Sequence, residues 1–266
     1  MQKLVKRQHY VPQTYLRAWA NQNEQIKVRD LKEKKSFPSA VENVLLENYY
    51  YENPDQAPTN ELEAKFCQYE ADFSNTRNFL LGVVSNAVSN AQDPAQCLES
   101  MFSAMPKHAK TIRAFAATSY FRTPGALSAM QTQLANDKDS EHAIATLDTL
   151  NSPYSLNTMA FNSSLLERFE NLHLIVLIAE GSLNTCDRPC FPIIGGIGHS
   201  NFGFDIGRHP DAIAAMPIAP HLFATFLPNL KNHEAVNLAR PMSDVMLQKT
   251  NEVILAKTHR WLIWAP

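Results

Sequence analysis

The chain has 266 residues, 45% hydrophobic and 9% aromatic, which is enough to bury a core as a single domain over residues 1–266 and excludes a disordered or low-complexity protein. Its formal charge of -2 excludes a global attraction to nucleic acid or anionic membrane, so any polyanion contact has to be local. The start has no apolar leader, the apolar run at 172–179 is broken by His173 and too short for a bilayer, and four scattered cysteines make no disulfide framework, so a soluble, cytoplasmic protein with reduced thiols is expected.

In chain order, Lys6, Arg7 and His9 lead into a short helix with Pro12 in its first turn, its Tyr15, Leu16 and Trp19 on one face and Asn21 ending it. Alternating Ile26 and Val28 before the charged turn 32–35, then an apolar patch at 41–46, predict a small β element closed by Tyr49, Tyr50 and Tyr51. Residues 53–58 read as a loop.

A helix is predicted over 60–90, where Asn60 can cap with Glu63 in a capping box and Leu62, Phe66, Tyr69 and Phe73 form a stripe. Asp93 and Pro94 open a second helix, Pro106 interrupts it, and its continuation stops at Thr123, Pro124 and Gly125. Shorter helices follow around Leu127 to Leu134 and Ile144 to Leu150, which makes 60–171 a helical middle.

At 172 the period changes to a strand suited to burial on both faces, followed by strands at 190–194, 213–218 and 222–227, a helix at 242–257 and a last strand at 261–264. Glycines between Gly195 and Gly207 mark a loop. The sum is an α+β protein, with an N-terminal β element and helix, a helical middle, and a C-terminal strand-rich sheet closed by a helix.

The segment from Lys6 to Arg17, HYVPQ-x-YLR at its centre, resembles the opening signature of the prokaryotic proteins grouped as domain of unknown function 4238. Further elements similar to that family follow in order: Tyr51 before a helix carrying Glu63 and Glu70, Arg122-Thr123-Pro124, Asp187-Arg188-Pro189, Pro217 to Pro220, and Asn251. The family pattern reads Thr-Ser-Asp-Asn-Pro where this chain has Thr185-Cys186-Asp187-Arg188-Pro189. The resemblance covers nearly the whole chain and implies no particular reaction.

Candidate site residues come from the chemistry of these elements. Arg7 and His9 project to one side of an extended segment next to a helix start, an arrangement able to cradle a phosphate or carboxylate. His9 is either the acid–base group of a site or a buried anchor for the N-terminal segment. Glu63 and Glu70 share a helix face; Glu63 reads as the capping-box partner of Asn60, and Glu70 as a catalytic carboxylate or as the partner of Arg77. Asp187 is a third catalytic candidate, against an Asx-turn before Pro189. Arg122 either brings a cation to the centre or caps its helix, while Gln13 and Asn251 are polar residues of the core or the site.

No phosphate-binding loop, zinc-protease helix, serine elbow or dinucleotide fingerprint is present, and His199, Asp205, His209 and Asp211 match no standard metal spacing, so they read as solvated loop. The sequence names neither a cofactor nor an oligomeric state. Two functions remain: a phosphodiester-directed hydrolase or nuclease with a toxin or phage-defence role, acting on nucleic acid or a phosphate-bearing ligand, and a non-catalytic module that binds an anion or a partner and in which the signature is structural.

Overall fold

A computed structural model describes residues 4–136, 152–194, 212–231 and 233–266. The expected helix around Ile144, the glycine-rich loop and its His199, Asp205, His209 and Asp211 lie outside the described residues.

The signature opens as a strand, β1 (Arg7–His9), paired antiparallel with β4 (Leu46–Asn48). Helix α1 (Gln13–Leu16) follows, with Pro12 as its cap and not its first residue, and a 3-10 turn (Arg17–Trp19) continues it. The aromatic face docks as its spacing predicts: Tyr15, Leu16 and Trp19 are fully buried. Trp19 Nε1 donates to the Leu183 carbonyl at 2.8 Å, and the Tyr15 hydroxyl donates to the Pro217 carbonyl at 2.8 Å. Because that hydroxyl has one proton, the Thr185 hydroxyl 2.7 Å away is the donor in the other bond. Three bonds thus fasten the first twenty residues to the C-terminal third.

Strands β2 (Gln25–Asp30) and β3 (Lys35–Ala40) form a hairpin whose buried positions alternate on β2, with Ile26, Val28 and Asp30 inward. The N-terminal β element is not a separate piece. β2 pairs with the last strand, β11 (Trp261–Trp264), which also pairs with β6 (Thr185–Cys186), so both ends of the chain share one sheet of order β3-β2-β11-β6. Arg260 seals that junction through Nε and Nη2 on Asp30 Oδ2, at 3.0 and 2.7 Å.

The helical middle begins with α2 (Glu61–Ser89), whose buried stripe includes Leu62, Phe66, Phe73 and Leu80. The Asn60–Glu63 capping box does not form. Asn60 sits at φ 61°, its side chain accepts from Val5 N, and its backbone N–H goes to Glu52 instead, so a carboxylate from the preceding loop takes over the helix start. Helix α3 (Pro94–Ala104) is capped by Asp93 on Ala95 N, and α4 (Lys107–Tyr120) restarts after Pro106. α5 (Pro124–Asn136), α6 (Pro153–Met159) and α7 (Ser163–Glu170) complete the layer. Phe73 of α2 stacks on Phe115 of α4 with ring centroids 3.8 Å apart, the tightest aromatic contact of the core.

The second sheet has the order β10-β5-β9-β8-β7, with β5 (His173–Ala179), β7 (Phe191–Ile194), β8 (Ala212–Ala219), β9 (Leu222–Leu227) and β10 (Asn237–Met242). All pairs are antiparallel except β10 with β5. On β5, Leu174 and Val176 are sealed but Ile175 and Leu177 only half-covered, so the strand is not buried equally on both faces. Helix α8 (Asp244–Lys257) packs near β6 and closes the C-terminal part. Among the described residues no helix is long and apolar enough to cross a membrane.

Tyr15→Phe tests the fastening of the signature. It strands the Pro217 carbonyl in the core, so the variant should lose about 1–3 kcal/mol of stability in urea denaturation. An unchanged midpoint would show that the bond contributes nothing.

Candidate functional site

Three of the sequence-selected residues, His9, Glu70 and Arg122, meet where β1 crosses the first turns of α2. Arg122 is 2% exposed, and its Nη2 donates to the His9 carbonyl at 3.0 Å and pairs with Glu70 Oε1 at 2.6 Å. Its Nε donates to the Tyr51 hydroxyl, which in turn donates to the same His9 carbonyl at 2.7 Å. The guanidinium lies 4.1 Å from the centroid of the Phe66 ring. Burial works against the charge of Arg122, and Tyr51 and Glu70 outweigh burial, so the cation is held protonated.

Arg122 therefore fixes the backbone of His9, and the ring is placed by its neighbours. Gln13 Nε2 lies 3.4 Å from His9 Nδ1; as an amide N–H can only donate, Nδ1 accepts and the neutral ring carries its proton on Nε2. His9 Nε2 is shielded from solvent and has no partner among the described residues. Burial holds the imidazole below its usual 6.5; the Glu42 carbonyl opposes this, and Arg7 reinforces it. Arg7 stands on the exposed side of β1, with Nη2 3.0 Å from both the Glu42 carbonyl and Asn43 Oδ1.

Glu70 does not hold Arg77. That arginine turns to α1, donating to the Thr14 and Tyr15 carbonyls at 2.7 and 3.2 Å, and leaves Glu70 to Arg122. Glu63, freed from capping duty, sits partly buried beside Arg122, Glu70 and Glu52, and its Oε2 has no partner among the described residues. Burial pushes its carboxyl up to about 7, with Arg122 opposing and Glu70 and Glu52 reinforcing.

Asp187 and Asn251 lie outside this cluster. The Asp187 carboxylate accepts the backbone N–H groups of His259, Arg260 and Trp261 at 2.9, 2.7 and 3.0 Å, so it organises the turn into β11 and not the one before Pro189. Burial pushes its carboxyl up against those three bonds. Asn251 of α8 accepts from Asn184 N and donates to the Ser182 carbonyl, which pins the loop ahead of β6.

Two residues of the cluster were not singled out by the sequence. Gln8 is fully buried between Arg7 and His9, donating to Glu52 Oε1 at 2.7 Å and accepting from Tyr51 N at 2.8 Å. Its inward position follows from strand alternation once Arg7 and His9 are placed outward. Glu52, which also accepts from Thr59 N at 2.7 Å, carried no local signal.

The arrangement offers two acid–base groups with opposite tendencies, a neutral imidazole and a carboxyl that retains its proton towards neutrality, set around an internally balanced Arg122–Glu70 pair. Such divergence of titrating groups is what proton transfer at neutral pH requires. Among the described residues no group of three His, Cys, Asp or Glu side chains is disposed to hold a metal ion.

A family profile described as "Protein of unknown function (DUF4238)" matches residues 7–266. No curated protein and no solved structure matches the chain.

The electrostatics of Glu63 can be read in stability. Folded Glu63 keeps its proton up to about pH 7, whereas the unfolded chain gives it up near the ordinary 4.5, so wild type loses stability as pH rises through that window. Glu63→Gln should match wild type near about pH 4 and exceed it at about pH 8 by on the order of 2 kcal/mol, allowing for partial solvent screening. Urea denaturation at both pH values measures this; an equal difference at the two would mean that no charge is being buried.

Proposed function

The chain belongs to the DUF4238 family, and from that premise we propose that its His9 centre is the active site of a phosphodiester-directed hydrolase, a nuclease acting in the cytoplasm as a toxin or in phage defence. The observation that carries this reading is the His9 ring: its Nδ1 and its backbone are both held, and its Nε2, with only the Glu42 carbonyl acting on the ring from the main chain, makes no hydrogen bond of good geometry among the described residues.

In this reading the neutral imidazole takes the proton of the attacking water or hydroxyl as the new P–O bond forms, and Glu63 returns a proton to the leaving oxygen. Glu63 takes the role first assigned to Glu70 or Asp187, because Glu70 is committed to Arg122 and Asp187 to the 259–261 backbone. Arg7, exposed on the His9 side of β1, meets the phosphate; Arg122 is sealed and acts by holding His9. Support for a reducing compartment comes from the cysteines, all four of them free and two of them buried.

The enclosure of Arg122 also favours the second reading, in which the signature is architectural and the protein is a binding module: every hydrogen bond described for that arginine is internal.

Wild type, His9→Gln and Glu63→Gln, expressed in a bacterial host and purified, separate the two. On RNA and DNA substrates the enzyme reading expects cleavage that falls at least about 100-fold in each variant, with stability changed by no more than about 1 kcal/mol in His9→Gln. Cleavage should decline above about pH 7, as Glu63 loses its proton, and again below the depressed range of His9. Absence of cleavage by wild type, with no growth arrest on expression and an unfolded His9→Gln, would leave the architectural reading.

A further inference from the structure

Four arginines among the described residues are buried, and three of them have answered donors. Arg77 binds the Thr14 and Tyr15 carbonyls, Arg113 the Leu172 carbonyl and Asn237 Oδ1, and Arg122 the His9 carbonyl, Tyr51 and Glu70. Arg188, in the turn between β6 and β7, is different. It is 6% exposed, and both Nε and Nη2 are shielded from solvent with no hydrogen-bond partner among the described residues. Those two nitrogens form one edge of the guanidinium, the same edge that Arg260 turns on Asp30, and the natural complement of that edge is a pair of oxyanion oxygens.

The described groups around Arg188 do not supply a counter-charge. The adjacent Asp187 carboxylate is turned to the 259–261 backbone. Burial pushes the Cys186 thiol up to about 12 and the Cys190 thiol higher still, so both remain neutral thiols. Cys186 Sγ points at the Arg188 carbonyl, 3.2 Å away. The remaining neighbour, Lys257 at the end of α8, carries the same sign: its ammonium is pulled down first by burial and then by the Arg188 charge. The charge of Arg188 is thus felt by a second cation and answered by no anion among the described residues, and a buried guanidinium with no anion is a costly state for a folded protein.

We propose that Arg188 and Lys257 form a binding site for a phosphate group, separate from the His9 centre. A phosphate dianion answers both cations at once, whereas a carboxylate answers one. Its oxygens meet the free edge of Arg188, and the Lys257 ammonium closes on the other side.

The test is thermal unfolding of the full chain in inorganic phosphate against chloride at matched ionic strength, with titration calorimetry for the affinity. Wild type should show a saturable rise in melting temperature with phosphate that chloride does not reproduce. Arg188→Gln should abolish that rise and, having shed an unpaired buried cation, should be at least as stable as wild type without phosphate. Lys257→Gln, at a partly exposed position, should weaken phosphate about tenfold. Arg7→Gln, at the His9 centre, should keep the full response. Equal effects of phosphate and chloride on wild type would overturn the site. So would a response that survives in Arg188→Gln and vanishes in Arg7→Gln, which would place the phosphate at His9.

Discussion

The structure turns on the buried charge of Arg122. A guanidinium removed from water costs several kcal/mol unless its donors and its charge are both answered, and here one carboxylate, one phenol and one main-chain carbonyl answer them. Each comes from a different part of the chain: Glu70 from α2, Tyr51 from the loop before it, and His9 from β1. Satisfying one cation therefore brings three segments into register. The His9 carbonyl accepts from both Arg122 and Tyr51, so β1 cannot slide along α2 without stranding two buried donors at once.

The same device recurs at several irregular points among the described residues. Arg77 terminates α1 through the Thr14 and Tyr15 carbonyls; Arg113 binds the Leu172 carbonyl ahead of β5; Glu52 takes the N–H groups of Thr59 and Asn60; Asp187 takes three N–H groups before β11; and Glu99 takes Ala239 N on the edge strand β10. Charged side chains thus stand in for secondary-structure bonds that a turn or helix end lacks. This separates scaffold from site by a simple criterion, because a scaffolding charge is spent on main-chain atoms and a functional one keeps an atom in reserve. By that measure Asp187, Arg77 and Arg113 are scaffold, while His9, Glu63 and Arg188 hold atoms that no described residue satisfies.

Local signals in the sequence carried local features well. Asp93 and Pro94 set the start of α3, Pro106 the break before α4, and the apolar runs at 222–227 and 261–264 gave strands. What escaped depends on partners distant in the chain. β10, with Arg240 and Pro241 in it, has no strand-like alternation and exists because β5 and α3 flank it. The pairing of β2 with β11 joins residues more than 200 apart, which no window along the sequence can show. Asn60 and Glu63 have the spacing of a capping box, yet Val5 and Glu52 compete for Asn60 and win, leaving Glu63 free. The sequence singled out His9, Glu70 and Arg122, which the fold brings together, but how Glu63 and Glu70 divide between Arg122 and the solvent-shielded interior depended on where Arg122 lands.

That division decides what kind of chemistry the centre can support. If Glu63 and Glu70 were both ionised beside one arginine, the site would be net negative and would repel a phosphodiester. With Glu70 paired to Arg122 and Glu63 holding its proton towards neutrality, the negative charge left inside is the Glu52 carboxylate, which is spent on Gln8, Thr59 and Asn60, and Arg7 is the exposed cation on the outer face of β1. The imidazole of His9 is depressed first by burial, and the neighbouring Arg7 and Arg122 charges act in the same direction. Under the proposed function the buried arginine therefore does more than hold the fold: paired with Glu70, it sets the charge balance in which His9 and Glu63 would exchange protons with a substrate.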